Sequence, residues 1–317
     1  MLPDDPDPAT IERAAELLRS GGLVAFPTET VYGLGAHALD ESAVRRIFAA
    51  KGRPADNPLI VHLADAEALD HVAAEVTPLA IRLAERWWPG PLTVVLRARP
   101  EVPSVTTGGL ASVAVRVPDH PVALALLRSA RVPVAAPSAN RSGRPSPTTA
   151  QHVASDLGAE VDLILDAGAT RVGLESTVVD ARGTEPVILR EGGVTREDLG
   201  LETSPQHGDE AASPGTRFRH YQPDCRVVLA PQGRAGAAAL AERARGAAVG
   251  LLASVPAPPG VVEIGVATDA HALAGGLYDA LRAAETAGLD VLVVEAVPEV
   301  GIGRAVMDRL RRAAETP

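Results

Sequence analysis

The chain has 317 residues, 46% hydrophobic and 22% charged, a globular composition that excludes wholesale disorder and is long for one ordinary domain. Its formal net charge of −10 excludes a general polyanion binder, so any phosphate or nucleic-acid contact needs a local basic patch. The single cysteine, Cys225, excludes an intramolecular disulfide and a multi-cysteine zinc site, and no apolar run approaches the ~18–20 residues that span a bilayer.

Asp7-Pro8 reads as an N-cap with proline at the first helical position, and Ile11, Ala14, Ala15 and Leu18 follow at helical spacing up to Gly21-Gly22. A strand is predicted over Leu23–Phe26, then a helix from near Asp40 that buries Val44, Ile47 and Phe48 and stops at Gly52. Next come a strand (Leu59–Leu63), a helix (Pro78–Trp88), two strands (Leu92–Leu96, Val113–Val117) and a helix (Pro121–Ser129). A strand (Val132–Ala136), a helix (Thr148–Leu157) and three late strands (Leu163–Asp166, Ser176–Asp180, Val187–Arg190) complete this part. Several strands follow one another without a helix, which predicts a mixed twisted sheet covered by helices. From Thr203 to Asp224 the texture turns to Ser, Pro, Gln, Gly and Glu without periodicity, longer than an ordinary connection. Beyond it strands at Arg226–Leu229, Val249–Ala253 and Val291–Glu295 alternate with helices at Ala235–Arg245, Leu273–Ala287 and Ile302–Ala314, the pattern of a smaller open α/β, Rossmann-like domain. The expected organisation is a catalytic domain over 1–202, a linker over 203–224 that acts either as a lid on the nucleotide site or as a docking segment, and a second domain over 225–317. The start of the chain lacks the basic and apolar stretches of a signal peptide, so a cytoplasmic location is expected.

The polar residues gather at predicted strand ends. Pro27-Thr28-Glu29-Thr30-Val31-Tyr32-Gly33-Leu34-Gly35 directly follows a strand and reads as a binding loop, its glycines allowing close backbone approach. Lys51 and Arg53 flank Gly52 before a rigid turn through Asn57-Pro58; they suit a phosphate clamp, although the helix dipole alone would account for Lys51. His62 lies inside a strand, where a lone histidine is more often a packing residue. Arg116 interrupts an apolar strand, where it either holds a carboxylate or points to water. Ala136-Pro137-Ser138-Ala139-Asn140 is a small, hydrogen-bonding loop after a strand, with neither a Walker A nor a dinucleotide fingerprint. Glu175-Ser176-Thr177 and Arg190-Glu191-Gly192 add polar groups at two more strand ends, and Cys225 has no histidine partner for nucleophilic chemistry.

Together, Pro-Thr-Glu-Thr-Val-Tyr-Gly-Leu-Gly, Lys-Gly-Arg-Pro-x-x-Asn-Pro-Leu with Val61-His62, Val115-Arg116, Pro137-Ser138-Ala139-Asn140 and Glu175-Ser176-Thr177 resemble the YrdC-like family of threonylcarbamoyl-AMP synthases, from about Ala9 to Gly200. Ser213-Pro214-Gly215-Thr216-Arg217-Phe218-Arg219-His220-Tyr221 with the following domain is similar to the long, two-domain form, with Thr216 and Phe218 where that form carries methionine and tyrosine. The resemblance implies a nucleotidyltransferase that makes L-threonylcarbamoyladenylate and pyrophosphate from L-threonine, bicarbonate and ATP. The product would pass to a tRNA threonylcarbamoyl transferase that modifies the adenosine beside the anticodon. It further implies threonine binding by Thr30, His62, Arg116, Ala136 and Ser176. ATP binding would fall to Lys51, Arg53, Asn57, Ser112, Ser138, Asn140, Ser146, Arg190 and Tyr221, with Lys51 and Arg53 supplying charge stabilisation. Magnesium would arrive with the ATP, held by phosphates and water, and no covalent nucleophile or dedicated metal site is implied. A weak tRNA contact is compatible with the same surface. Two competing readings are a non-catalytic RNA-binding module, opposed by the net charge, and a carbamoyl-adenylate enzyme of the hydrogenase-maturation type, opposed by the single cysteine.

Overall fold

In the computed structural model, which describes residues 7–54, 56–201 and 221–315, several helices begin and end where the chain supplies their caps. The Asp7 carboxylate accepts from the backbone of Ala9 and Thr10 and opens α1 (Pro8–Arg19). Asp40 does the same for α2 (Glu41–Lys51), which ends at Gly52 in the left-handed conformation, φ 60°. Proline at the first turn also opens α3 (Pro78–Trp87) and α5 (Pro121–Ala130), on either side of the short α4 (Ser104–Thr107); α6 (Ala150–Leu157) and α7 (Arg196–Leu199) follow.

The described residues fall into two compact units, the first drawn from 7–142 and 147–201 and the second from 143–146 and 221–315. In the first, strands β1 (Val24–Phe26), β2 (Gly33–His37), β3 (Ile60–His62), β4 (Ala73–Glu75), β5 (Leu92–Ala98), β6 (Ser112–Arg116), β7 (Val134–Ala135), β8 (Leu163–Ile164), β9 (Thr177–Asp180) and β10 (Val187–Arg190) form one sheet. Its order is β10-β9-β5-β6-β3-β7-β2-β1-β8, with β4 attached to β5. The pairs β3–β6, β5–β9 and β1–β8 are parallel and the rest antiparallel, so the mixed sheet expected from consecutive strands is present. One core packs α2 and α3 against Leu34, Val61, Val94 and Val115; another packs α1 and α5 against Val24, Phe26 and Val134.

One reading needs correction. Gly33, Leu34 and Gly35 are not loop but the start of β2, and their glycines serve strand packing: a Cβ on Gly35 would sit 2.8 Å from Phe26 Cε1 and 3.0 Å from Val134 Cγ1. Strand β4 and the single-turn helices α4 and α7 were also not foreseen, being too short to show a period.

The second unit has four parallel strands, β11 (Arg226–Ala230), β12 (Val249–Ala253), β13 (Val262–Val266) and β14 (Val291–Glu295), in the order β11-β14-β12-β13. Helices α8 (Ala235–Ala244), α9 (Ala270–Thr286) and α10 (Gly303–Ala314) cover it. Residues 143–146 belong here: Arg282 donates to the Pro145 carbonyl, Arg144 pairs with Glu285, and the Gln222 amide donates to the Gly143 carbonyl at 2.8 Å. Of the expected linker, residues 203–220 lie outside the described residues. Among the described residues no helix is long and apolar enough to cross a membrane.

Candidate functional site

Arg116 closes β6, a strand interior to the sheet, and is buried. A buried charge needs partners, and the chain supplies three. Nε donates to the Gly90 carbonyl at 3.1 Å, Nη1 donates to Thr30 Oγ1 at 2.9 Å, and Nη2 forms an ion pair with Glu29 Oε2 at 2.6 Å. Glu29 is only 1% exposed, and among the described residues its other oxygen, Oε1, has no hydrogen-bond partner.

The hydroxyls of the Thr28–Thr30 turn follow from this arrangement. Thr28 Oγ1 donates to the Val31 carbonyl at 2.7 Å, so in its 2.8 Å contact with Thr30 it accepts. Thr30 therefore donates to Thr28 and accepts from Arg116, giving a directed chain Arg116 to Thr30 to Thr28 to Val31.

His62 lies directly across from Arg116 in the β3–β6 register, and paired residues share a sheet face. Its ring stands edge-on to Phe26, with centroids 6.1 Å apart, and Nδ1 lies 3.2 Å from the Ile60 carbonyl; a carbonyl only accepts, so Nδ1 carries the hydrogen. Burial, reinforced by the Arg116 charge, lowers the His62 pKa to about 3, so the ring is neutral near pH 7. Ala136, also buried, donates its amide to the Ile60 carbonyl at 2.9 Å.

Ser176 meets Arg190. The Arg190 Nη2 donates to the Ser176 carbonyl at 2.8 Å and to its hydroxyl at 3.2 Å, while Thr93 Oγ1 lies 2.7 Å from the same hydroxyl. The Pro91 carbonyl accepts from the Thr177 amide at 3.0 Å, next to the Gly90 carbonyl that holds Arg116, so a two-residue segment connects these clusters.

The third cluster surrounds Lys51, the last residue of α2. Its Nζ donates to the carbonyls of Ser138 and Asn140, and its own carbonyl accepts from the Ser142 amide at 2.9 Å. Burial, then the neighbouring Arg53, push the Lys51 pKa well below that of an ordinary lysine, with Asp156 opposing. Ser138 Oγ donates to Asn140 Oδ1 at 2.6 Å, closing the turn. Arg53 donates to the carbonyls of Asn57 (3.3 Å) and Pro58 (2.9 Å), so it fixes the turn that holds the buried Asn57.

Three expected residues are not members of these clusters. Ser112 begins β6, about 13 Å along the strand from Arg116 at strand rise. Ser146 is buried within the second unit, as is Tyr221, which has φ 69°, stacks on the Tyr278 ring with centroids 5.3 Å apart, and has the Arg309 guanidinium 5.6 Å from its ring centre. The rest of the Ser213–Tyr221 motif lies outside the described residues. Sequence reasoning did not assign Glu29, Thr28 or Thr93. For Glu29 a signal existed: a carboxylate between two threonines directly after an apolar strand needs a partner.

The arrangement brings the buried guanidiniums of Arg116 and Arg190 together with several neutral hydrogen-bonding groups, a donor set suited to a small carboxylate-bearing ligand. The family described as "Telomere recombination" (Sua5, YciO, YrdC) matches residues 16–192, and "Threonylcarbamoyl-AMP synthase, C-terminal domain" matches residues 180–315. The threonylcarbamoyl-AMP synthase of Pyrococcus abyssi is 46% identical over 319 residues, covering 96% of this chain and 94% of that one. That of Bacillus subtilis is 43% identical over 320 residues, covering 96% and 92%. The crystal structure of P. abyssi Sua5 complexed with L-threonine superposes with a TM-score of 0.92 at 45% identity, covering 98% of this chain and 95% of the other.

Proposed function

The chain belongs to the Sua5/YciO/YrdC family, in the two-domain form of the threonylcarbamoyl-AMP synthases, and from that premise we propose how its residues make L-threonylcarbamoyl-AMP from L-threonine, bicarbonate and ATP. The observation that carries the reading is Arg116: a buried guanidinium, positioned by Glu29, Gly90 and Thr30, matches an amino-acid carboxylate. Thr30, His62, Ser176 and the backbone at Ala136 surround the remainder of the amino acid. His62 stays neutral and so adds no charge to compete with Arg116.

Threonine's amine takes up CO2, derived from bicarbonate, to give a carbamate. A carbamate oxygen then attacks the α-phosphorus of ATP; the new O–P bond forms as the bond to the bridging oxygen of pyrophosphate breaks, and pyrophosphate leaves with that electron pair. The step is an adenylyl transfer, which makes the enzyme a nucleotidyltransferase. It needs positioning and charge stabilisation more than covalent help, in keeping with a site of Arg, Lys, Ser, Thr and Asn. Lys51 and Arg53 put positive charge behind the turns of Ser138–Asn140 and Asn57 on which ATP rests, with Ser112 and Arg190 as further contacts. Magnesium enters as part of the nucleotide substrate; among the described residues no three or more His, Cys, Asp or Glu gather to hold a metal ion. The product is handed, in the cytoplasm, to a tRNA threonylcarbamoyl transferase.

Pyrophosphate release from ATP, assayed with and without threonine and bicarbonate, tests the reading. Release that requires both supports it, and release indifferent to both overturns it.

A further inference from the structure

We propose that the second unit carries a ligand site of its own, a cavity at the carboxyl edge of its sheet that binds a small primary amine with an apolar body, anchored on Glu295. The site owes nothing to the synthase reading.

Its location follows from the topology. Val249, Leu251, Ala253, Val291 and Val293 face α8, and the alternate residues face the opposite side, where α9 and α10 pack on each other. β11 and β14 are neighbours, yet the chain leaves β11 for α8 and β14 for α10, on opposite faces. Such a divergence opens a crevice beyond the carboxyl ends of parallel strands. A cavity of about 480 Å³ lies there, within the usual range for small-molecule sites.

The lining decides the chemistry. Leu252, Leu273, Val297 and Ile302 make an apolar wall, and the lining contains no lysine or arginine. Glu295, the last residue of β14, is 5% exposed. Its Oε1 accepts from the Gly233 amide and its Oε2 from the Ser254 amide at 2.6 Å. Burial pushes its pKa up, but the hydrogen bonds from Ser254 and Gly233 outweigh this and leave it below the ordinary glutamate value. The group is therefore a carboxylate at neutral pH, and among the described residues no cation pairs with it. The other carboxylate of the lining, Asp269, is committed to capping α9 through the amides of His271 and Ala272.

A carboxylate has about four acceptor positions, so Glu295 retains capacity after its two backbone bonds. An anionic floor with no lysine or arginine, and His271 as its one basic side chain, disfavours phosphates and carboxylic acids. A primary ammonium brings three donors and the missing charge, and an alkyl or aryl body fills the apolar wall. The plainer alternative is that Glu295 only ties the loops after β11 and β12 together, a role that predicts no ligand.

The test is calorimetric titration of the full-length chain with hexylamine and 2-phenylethylamine, against 1-hexanol and 2-phenylethanol as neutral partners of the same shape. The amines should bind saturably, one per chain, and about tenfold more tightly than the alcohols, the worth of one charge-assisted hydrogen bond. Glu295→Gln should erase that preference while leaving threonine-dependent pyrophosphate release unchanged. Because Glu295→Gln also alters the loop ties, Ala267→Phe provides a second arm: it fills the cavity, keeps the carboxylate, and should abolish amine binding. Absence of saturable binding, equal binding of amines and alcohols, or amine binding that survives Ala267→Phe would each overturn the proposal.

Discussion

At the scale of single residues the site is governed by one buried ion pair. Removing one member of such a pair leaves the other charge stranded and costs about 3–5 kcal/mol, whereas replacing both by apolar groups is often near neutral. Arg116→Met should therefore destabilise the protein by that order and abolish threonine binding, because both Glu29 and the ligand carboxylate lose their cation. Adding Glu29→Leu should restore most of the stability and none of the threonine affinity. Urea titration with threonine calorimetry checks both halves, and threonine binding by Arg116→Met would remove the arginine from its role. His62 supplies a second prediction. Its folded pKa, about 3, is depressed below the unfolded value near 6.5, so the unfolded chain binds the extra proton between these limits. The stability that the neutral ring contributes is present above pH 6.5 and is lost as pH falls from there toward 3, by up to about 1.4 kcal/mol per pH unit. His62→Gln should flatten the stability profile in that window relative to the parent; parallel profiles in urea would refute the assignment.

At the scale of elements, several helices were legible from the cap chemistry in the sequence, as at Asp7, Asp40, Gly52 and the prolines that open α3 and α5, whereas the capping box of the short α7 was missed. β2 was not legible, because two glycines look like loop until Phe26 and Val134 are seen to occupy the space of their side chains. β13 was not recognised, although Val262, Ile264 and Val266 alternate with Glu263 and Gly265; the strand is short, holds a glycine and none of its residues is buried. In the site, the individual groups Thr30, Arg116 and Ser176 could be named, but not their partners, since pairing Arg116 with Glu29 or Ser176 with Thr93 depends on which strands become neighbours. Lys51 illustrates the same limit. Its place at a helix end was visible, but its tie to the 138–140 turn was not. That tie makes a prediction: Lys51→Met, similar in length but without donors, should release the turn. Amide exchange across Ala139–Ser142 should accelerate and the KM for ATP should rise about tenfold, with threonine affinity nearly unchanged. Normal exchange and normal ATP saturation would leave Lys51 as a helix-end cation and nothing more.

At the scale of the whole molecule, the two units have separate apolar cores, one set around Leu34, Val61, Val115 and Val134 and another around Ala239, Leu251 and Val293. Chains with more than one core commonly depart from a single two-state transition. Every residue expected to touch threonine, namely Thr30, His62, Arg116, Ala136 and Ser176, lies in the first unit. A ligand stabilises only the folded state that binds it, by about 2.7 kcal/mol when present at a hundred times its Kd. Thermal unfolding followed by calorimetry should thus show two transitions. Saturating threonine should raise the one that belongs to the first unit by several degrees, at roughly 2–4 °C per kcal/mol for a unit of this size. The other should stay in place. Arg116→Met identifies the threonine-responsive transition, since it should both lower that transition and abolish its response. If a single transition moves as a whole with threonine, the two cores unfold as one cooperative body, and threonine binding is coupled to the stability of the second unit.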